Sequence, residues 1–325
     1  MKTFTKVFSI FAASIAAAAL IPSAAAQGKS SEIRIATQPS PIYAPIFVAK
    51  ENGWLEDDLK KDGVKVRWSS FTSGPPINES FAANQIDVGF LGDTPPIVAK
   101  SAGQDNIIFS TSAIGPKAIA VVVQKDSDIK TPADLKGKKV GVTKGSYTHH
   151  LLVLVLKNAG LKTDDIKLIH LAPPDLVTAF TKGEIDAAAT WDPFLLQLES
   201  ADGKILIDGA GIKEGLLVIV ANRKFAETNP ESIRKLLLAY NRGNEFIKSN
   251  PEEAAKIVSK HVKLSPEQTA KLLKKFDYSQ PITPITIAEL KKTEEFLFSN
   301  SIIRKHVDID SFVDVKYLKD AGLQN

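Results

Sequence analysis

Phe81-Ala-Ala-Asn-Gln-Ile86-Asp87-Val-Gly-Phe-Leu-Gly-Asp93-Thr-Pro95 and Phe180-Thr-Lys-Gly-Glu-Ile185-Asp186-Ala-Ala-Ala-Thr-Trp-Asp192-Pro193 decide the fold. Phe, Ile, Asp and a second Asp recur between them at a single offset of 99 residues. Each stretch predicts the same unit: a helix end, a tight turn, a buried strand, then a new helix with Asp as N-cap and Pro just inside it. Two copies of one βα unit predict two similar α/β lobes. The expected division is residues 27–117 plus 221–325 in lobe 1 and 118–220 in lobe 2. That arrangement carries two crossovers, a hinge and a cleft between the lobes.

Around these units, strands alternate with helices. Strands are expected at residues 33–36, 64–68, 87–91, 107–111, 119–124, 139–143, 167–171, 185–190 and 205–207. Helices are expected between them, as at 42–52, 146–158 and 175–181. Such alternation predicts parallel βαβ sheets. From Pro230 the pattern turns helical, over 230–248, 251–261, 266–276 and 286–300. Several of these helices open with Ser or Asn before Pro, which is cap and first-turn chemistry.

Residues 1–26 read differently. Lys2 and Lys6 precede fifteen uncharged residues, 7–21, and Ser23-Ala24-Ala25-Ala26 offers an A-x-A cleavage pattern. This is the pattern of a secretory signal peptide cut after Ala26, too short for a spanning helix. The expected compartment is the periplasm. Without it the chain has 39 basic against 37 acidic residues and no Met. The whole chain has 325 residues and no Cys, which rules out disulfides, thiolate metal sites and thiol nucleophiles. A net charge of +4 with no long basic run speaks against a nucleic-acid surface.

The loops at the carboxyl ends of the strands are where an open α/β sheet binds its ligand. They read Thr37-Gln38-Pro39-Ser40-Pro41, Thr72-Ser73-Gly74-Pro75-Pro76 and Gly92-Asp93-Thr94-Pro95-Pro96 in the first lobe. In the second they read Thr143-Lys144-Gly145-Ser146-Tyr147-Thr148-His149, Ala172-Pro173-Pro174-Asp175 and Thr190-Trp191-Asp192-Pro193-Phe194. Each starts a helix, whose N-terminus carries free N–H groups and partial positive charge. Several aimed at one cleft would hold a small oxyanion without an Arg. Asp93 and Asp192 are expected to cap helices, or one of them to meet an ammonium on a zwitterionic ligand. Lys144 is the one basic residue within these loops. Trp191 and Tyr147 would wall an organic tail or, for Trp191, fill the core.

Signals of catalysis are weak. G-x-S-x-G, H-E-x-x-H, G-x-G-x-x-G and the phosphate loop are all missing from the sequence. Ser146 precedes His149 by three residues, but no acid stands near to orient the imidazole. His149 and His150 are adjacent, so on a helix they point about 100° apart and cannot jointly hold a metal. His149 would face the ligand, and His150 would be structural. Neither cofactor nor enzymatic activity is expected.

Gly92-Asp-Thr-Pro-Pro96, Asp134-Leu-Lys-Gly-Lys-Lys-Val140, Lys144-Gly-Ser-Tyr-Thr-His149, Trp191-Asp-Pro-Phe194 and Ile282-Thr-Pro284, in this order, resemble the aliphatic-sulfonate substrate-binding proteins of ABC importers. The segment 215–248, with Ala221-Asn-Arg and the following Asn-Pro-Glu, is similar to the same family. The resemblance spans about residues 31–315. It implies a type II periplasmic-binding fold that closes on its ligand as a monomer and delivers it to a membrane permease and its ATPase. It further implies that Thr94, Ser146, Tyr147, Thr148 and His149 contact sulfonate oxygens, with Gln38, Ser73 and Gly74 at equivalent cleft loops. Trp191 and Asp192 complete the candidate set. The family is richer in Gly after the first strand, where this chain has Gln38-Pro39-Ser40-Pro41-Ile42-Tyr43, so the tail pocket should differ. Relatives that bind taurine, nitrate or thiamine precursors, and thiamine-pyrimidine-synthase-like enzymes, are the competing possibilities.

Overall fold

The computed structural model describes residues 30–324, and the expected signal peptide lies outside the described residues. The chain begins with β1 (Glu32–Thr37), a short turn of 3-10 helix at Pro41–Tyr43, α1 (Ala44–Glu51), α2 (Trp54–Lys60), β2 (Lys65–Ser70), α3 (Gly74–Ala82), β3 (Val88–Gly92), α4 (Thr94–Ser101) and β4 (Asn106–Ile114). It crosses to β5 (Ile119–Val123), β6 (Lys139–Val142), α5 (Tyr147–Asn158), β7 (Lys167–His170), α6 (Pro173–Thr181), β8 (Ala187–Trp191), α7 (Phe194–Ser200) and β9 (Lys204–Asp208). It returns through β10 (Leu216–Asn222) to α8 (Arg223–Thr228), α9 (Pro230–Ser249), α10 (Pro251–Val262), α11 (Pro266–Leu273), α12 (Pro284–Ser299), α13 (Ile309–Phe312) and α14 (Lys316–Asp320).

Two five-stranded sheets result, ordered β2-β1-β3-β10-β4 and β7-β6-β8-β5-β9. The repeated units hold equivalent places: β3 lies parallel to β1, and β8 parallel to β6. The recurring Asp before each strand has one job in both. Asp87 Oδ2 accepts the amide of Arg34 at 2.8 Å, and Asp186 Oδ2 accepts the amide of Lys139 at 2.7 Å. Each carboxylate thereby fastens the start of the neighbouring parallel strand. Val88–Gly92 and Ala187–Trp191 are buried along their whole length, so they read as continuous apolar runs without alternation.

The sheets are not purely parallel. β10 runs antiparallel to β3 and β4, and β5 runs antiparallel to β8 and β9. Both strands follow a crossover rather than a helical return, so nothing forces the parallel sense on them. Leu216–Asn222 was not among the expected strands, because its apolar run Leu-Leu-Val-Ile-Val has no period. Its pairing also corrects the expected boundary at residue 220. The chain is back in the first sheet by Leu216, so the return crossover is residues 209–215.

The C-terminal helices form as their patterns require. In α9, Ile233, Leu236, Leu237 and Tyr240 are buried at helical spacing and pack the first sheet's side of the molecule. Ser265 and Thr283 cap α11 and α12 through their hydroxyls. Asn229 and Asn250, expected to do the same for α9 and α10, make no side-chain cap bond. The two crossovers lie against each other. A Cβ on Gly209 would stand 2.6 Å from the Pro116 carbonyl oxygen, and one on Gly215 would stand 2.5 Å from that of Gly115.

Candidate ligand-binding site

The helix starts of the two lobes face each other across the cleft. A Cβ on Gly92, at the end of β3, would lie 2.9 Å from Cδ1 of Tyr147, the first residue of α5. Gly145 of the second lobe stands against Pro75 of α3, and a Cβ on Gly74 would press on Pro95 of α4. The starts of α3, α4 and α5 therefore converge. Ser73, Gly74, Thr94, Ser146, Tyr147 and Thr148 are all buried there.

What these starts offer differs by lobe. Pro75-Pro76 and Pro95-Pro96 lack N–H groups, so α3 and α4 present only the amides of Gly74 and Thr94 in their first turns. In α5, Tyr147 and Thr148 carry amides that have no intrahelical acceptor at a helix start. Ser146 Oγ lies 3.0 Å from Thr148 Oγ1 and accepts the His149 amide at 3.3 Å. Helix α6 packs on β6, β8 and α7 of its own lobe.

The expected caps turn out differently. Ser73 makes no side-chain cap bond. Asp93 does not cap α4 either. Its Oδ2 accepts from Lys213 Nζ at 2.6 Å and from Thr293 Oγ1 at 2.7 Å, while Lys213 also donates to Glu289 Oε1 at 2.7 Å. Lys213 and Asp93 side chains are 0% exposed. Burial is the largest influence on the Lys213 ammonium and lowers its pKa, but the two carboxylates together outweigh it and the net shift is upward. A lysine of the return crossover thus neutralises the acid beside Thr94.

Asp192 is wired across the lobes instead. Its carbonyl accepts from Ser40 Oγ at 2.7 Å, and its Oδ2 accepts from Lys275 Nζ at 2.8 Å. Its Oδ1 accepts the Leu196 amide at 3.3 Å, which retains part of the expected capping of α7. Burial pushes the Asp192 carboxyl up to about 6, against the opposing pull of Lys275.

Gln38 is held within its lobe, its amide nitrogen donating to Tyr43 Oη at 2.8 Å and to the Phe90 carbonyl at 3.2 Å. Trp191 belongs to the core; its ring is 5.6 Å from that of Tyr147 and edge-on to Phe194. Burial holds His149 down at about 4, with Lys144 adding to the effect, so the imidazole is neutral at neutral pH. His150 is pushed down to about 2, chiefly by burial, and stacks on Phe296 of α12 at 3.9 Å. Among the described residues, no group of three His, Asp or Glu side chains is placed to hold a metal ion. Lys213 and Lys275 escaped the sequence analysis because they lie 120 and 83 residues from the acids they meet. The surrounding Gly209–Gly215 and Lys274-Lys275-Phe276 carry no motif.

A cleft between two α/β lobes, floored by helix starts, defines the class of two-lobed solute-binding proteins. Residues 40–254 match the model of the NMT1/THI5-like family, and the chain belongs to that family. It is 33% identical over 291 residues to an aliphatic sulfonates-binding protein of Escherichia coli, covering 88% of this chain and 89% of the relative. A protein of the same name from Bacillus subtilis is 32% identical over 298 residues, covering 89% and 88%. Among solved structures, the alkanesulfonate-binding protein SsuA from Xanthomonas axonopodis pv. citri, bound to MOPS, superposes with a TM-score of 0.82 at 26% identity, covering 88% of this chain and 99% of that one.

Proposed function

We propose that this chain is the periplasmic solute-binding component of an ABC importer, and that it captures an aliphatic sulfonate between its lobes for delivery to a permease and its ATPase. The observation that carries the proposal is the convergence of Gly74, Thr94, Ser146, Tyr147 and Thr148 on one buried spot shared by both lobes. A sulfonate stays ionised at every physiological pH, so it needs hydrogen-bond donors and no proton acceptor. Amides and hydroxyls at helix starts supply these. The names of the E. coli, B. subtilis and Xanthomonas relatives support the same ligand class. Closure follows if the ligand makes contacts to both lobes that exist only when they meet. His149, neutral in its buried place, contributes a neutral hydrogen-bonding edge rather than a charge. In this reading the protein acts as a binder, in line with the names of its relatives.

Calorimetry with ethanesulfonate, taurine, sulfate and nitrate tests this. Binding of a sulfonate is expected, and a chain that takes none of the sulfonates lacks the proposed ligand. Ser146→Ala with Thr148→Ala should weaken the sulfonate by about 1.5–3 kcal/mol for each charged hydrogen bond lost. An unchanged affinity would move the site elsewhere.

A further inference from the structure

Asp192 is a buried acid one residue beyond Trp191, whose ring adjoins Tyr147 at the start of α5. Its side chain is 0% exposed, and its one cationic partner among the described residues is Lys275, which reaches it from the segment after α11 in the opposite lobe and is 26% exposed. The remaining polar atoms of Asp192 are also engaged, Oδ1 by the Leu196 amide and the carbonyl by Ser40. A carboxylate at the edge of an oxyanion site is the natural partner for an ammonium on the ligand. Here the protein supplies that ammonium itself.

We infer that Lys275 is a specificity-determining residue: it fills the cation position beside Asp192, so the site selects sulfonates whose tails carry no amine. The inference rests on the sulfonate reading above. A 2-aminoethanesulfonate would have to bring its ammonium next to Lys275 and leave water without gaining a free carboxylate, whereas an alkanesulfonate of equal length meets neither cost. Truncating Lys275 removes the competing charge and frees both the oxygen and the space its ammonium occupies. Specificity here comes from an internal stand-in for the disfavoured ligand.

The test is calorimetry on the mature chain at neutral pH with ethanesulfonate and 2-aminoethanesulfonate, read as the ratio of their dissociation constants. Lys275→Ala should shift that ratio toward the amine by roughly tenfold or more, the size expected for a ligand cation gaining a buried acid. Lys275→Arg should keep the parent ratio. Asp192→Asn added to Lys275→Ala should abolish the shift. A ratio unmoved in Lys275→Ala, or a shift that survives Asp192→Asn, overturns the inference while leaving sulfonate capture intact. A parent protein that binds neither sulfonate removes both. Should Lys275→Ala not fold, as judged by its melting curve, Lys275→Ser gives the same readout, because it also lacks the charge and is too short to fill the space beside Asp192.

Discussion

Asp93 and Asp192 hold equivalent positions in the two repeats, and the molecule uses them in opposite ways. Asp93 is tied to Lys213 and Thr293, and Lys213 in turn to Glu289, contacts that hold one lobe and its crossover together. Asp192 is tied to Ser40 and Lys275, partners in the other lobe. The first arrangement lies within one lobe and its crossover. The second spans the two lobes. One sequence unit has thus become a structural anchor in one copy and a clasp in the other.

The comparison can be broken most severely at Lys213. Lys213→Met leaves the buried Asp93 without a cation, and Glu289 with only the exposed Lys292 at 4.0 Å, and should destabilise the protein by about 3–5 kcal/mol. A urea or thermal melt measures it; a loss under about 1 kcal/mol would show that the cluster is not an anchor. Acid is the next lever. His149 and His150 have folded pKa values near 4 and 2, below the ordinary 6.5, so the unfolded chain binds more protons as pH falls below 6.5. Their contribution is complete above 6.5 and is lost on acidification toward those folded values. Asp192 works the other way: with its carboxyl raised to about 6 from 3.8, the folded form takes up a proton first, and its contribution shrinks as pH rises through 6. Two imidazoles against one carboxyl should leave a net loss of a few kcal/mol by pH ~4, at about 1.4 kcal/mol per unit. Melts across this range check the sign, and His150→Phe should flatten the slope.

Gly92→Ala comes third. The new methyl would meet Cδ1, Cγ and Cβ of Tyr147 within 3.4 Å, atoms near the root of that side chain, so α5 itself must retreat. Affinity for a sulfonate should fall by about 1–3 kcal/mol, as overpacking costs elsewhere, with the melting temperature of the ligand-free chain little changed. Calorimetry and small-angle scattering would read the looser closure. The smallest effect sharpens the contrast with Lys213. Lys275→Ala should cost the ligand-free protein only about 1 kcal/mol or less, because Lys275 is partly in water and its pairing is screened there. A loss as large as that of Lys213→Met would erase the distinction between anchor and clasp.

Much of this plan was legible from the chain. The 99-residue offset located both βα units, and nine of the ten strands stood out as short apolar runs. Strand sense was not legible, because β5 and β10 look like any buried strand and only the crossovers make them antiparallel. The helix starts were legible through their Ser, Thr and Pro. Their donor count was not weighed correctly, since paired prolines leave α3 and α4 one early amide each. The lysines were illegible for a simple reason. Ion pairing over long sequence separation leaves no local pattern, so Asp93 and Asp192 looked alike as caps although neither serves chiefly as one.

The crossovers touch main chain to main chain at Gly115, Gly209 and Gly215. Side chains secure the same joint, since the Phe276 ring covers Gly115 and Lys213 is buried on Asp93 and Glu289, so the joint and the rim share the balance between the gaping and the shut molecule. At the rim stand a serine, a lysine and a tyrosine seated on a bare glycine. Evolution can therefore retune how readily the jaws shut by editing the lips while leaving the axle untouched.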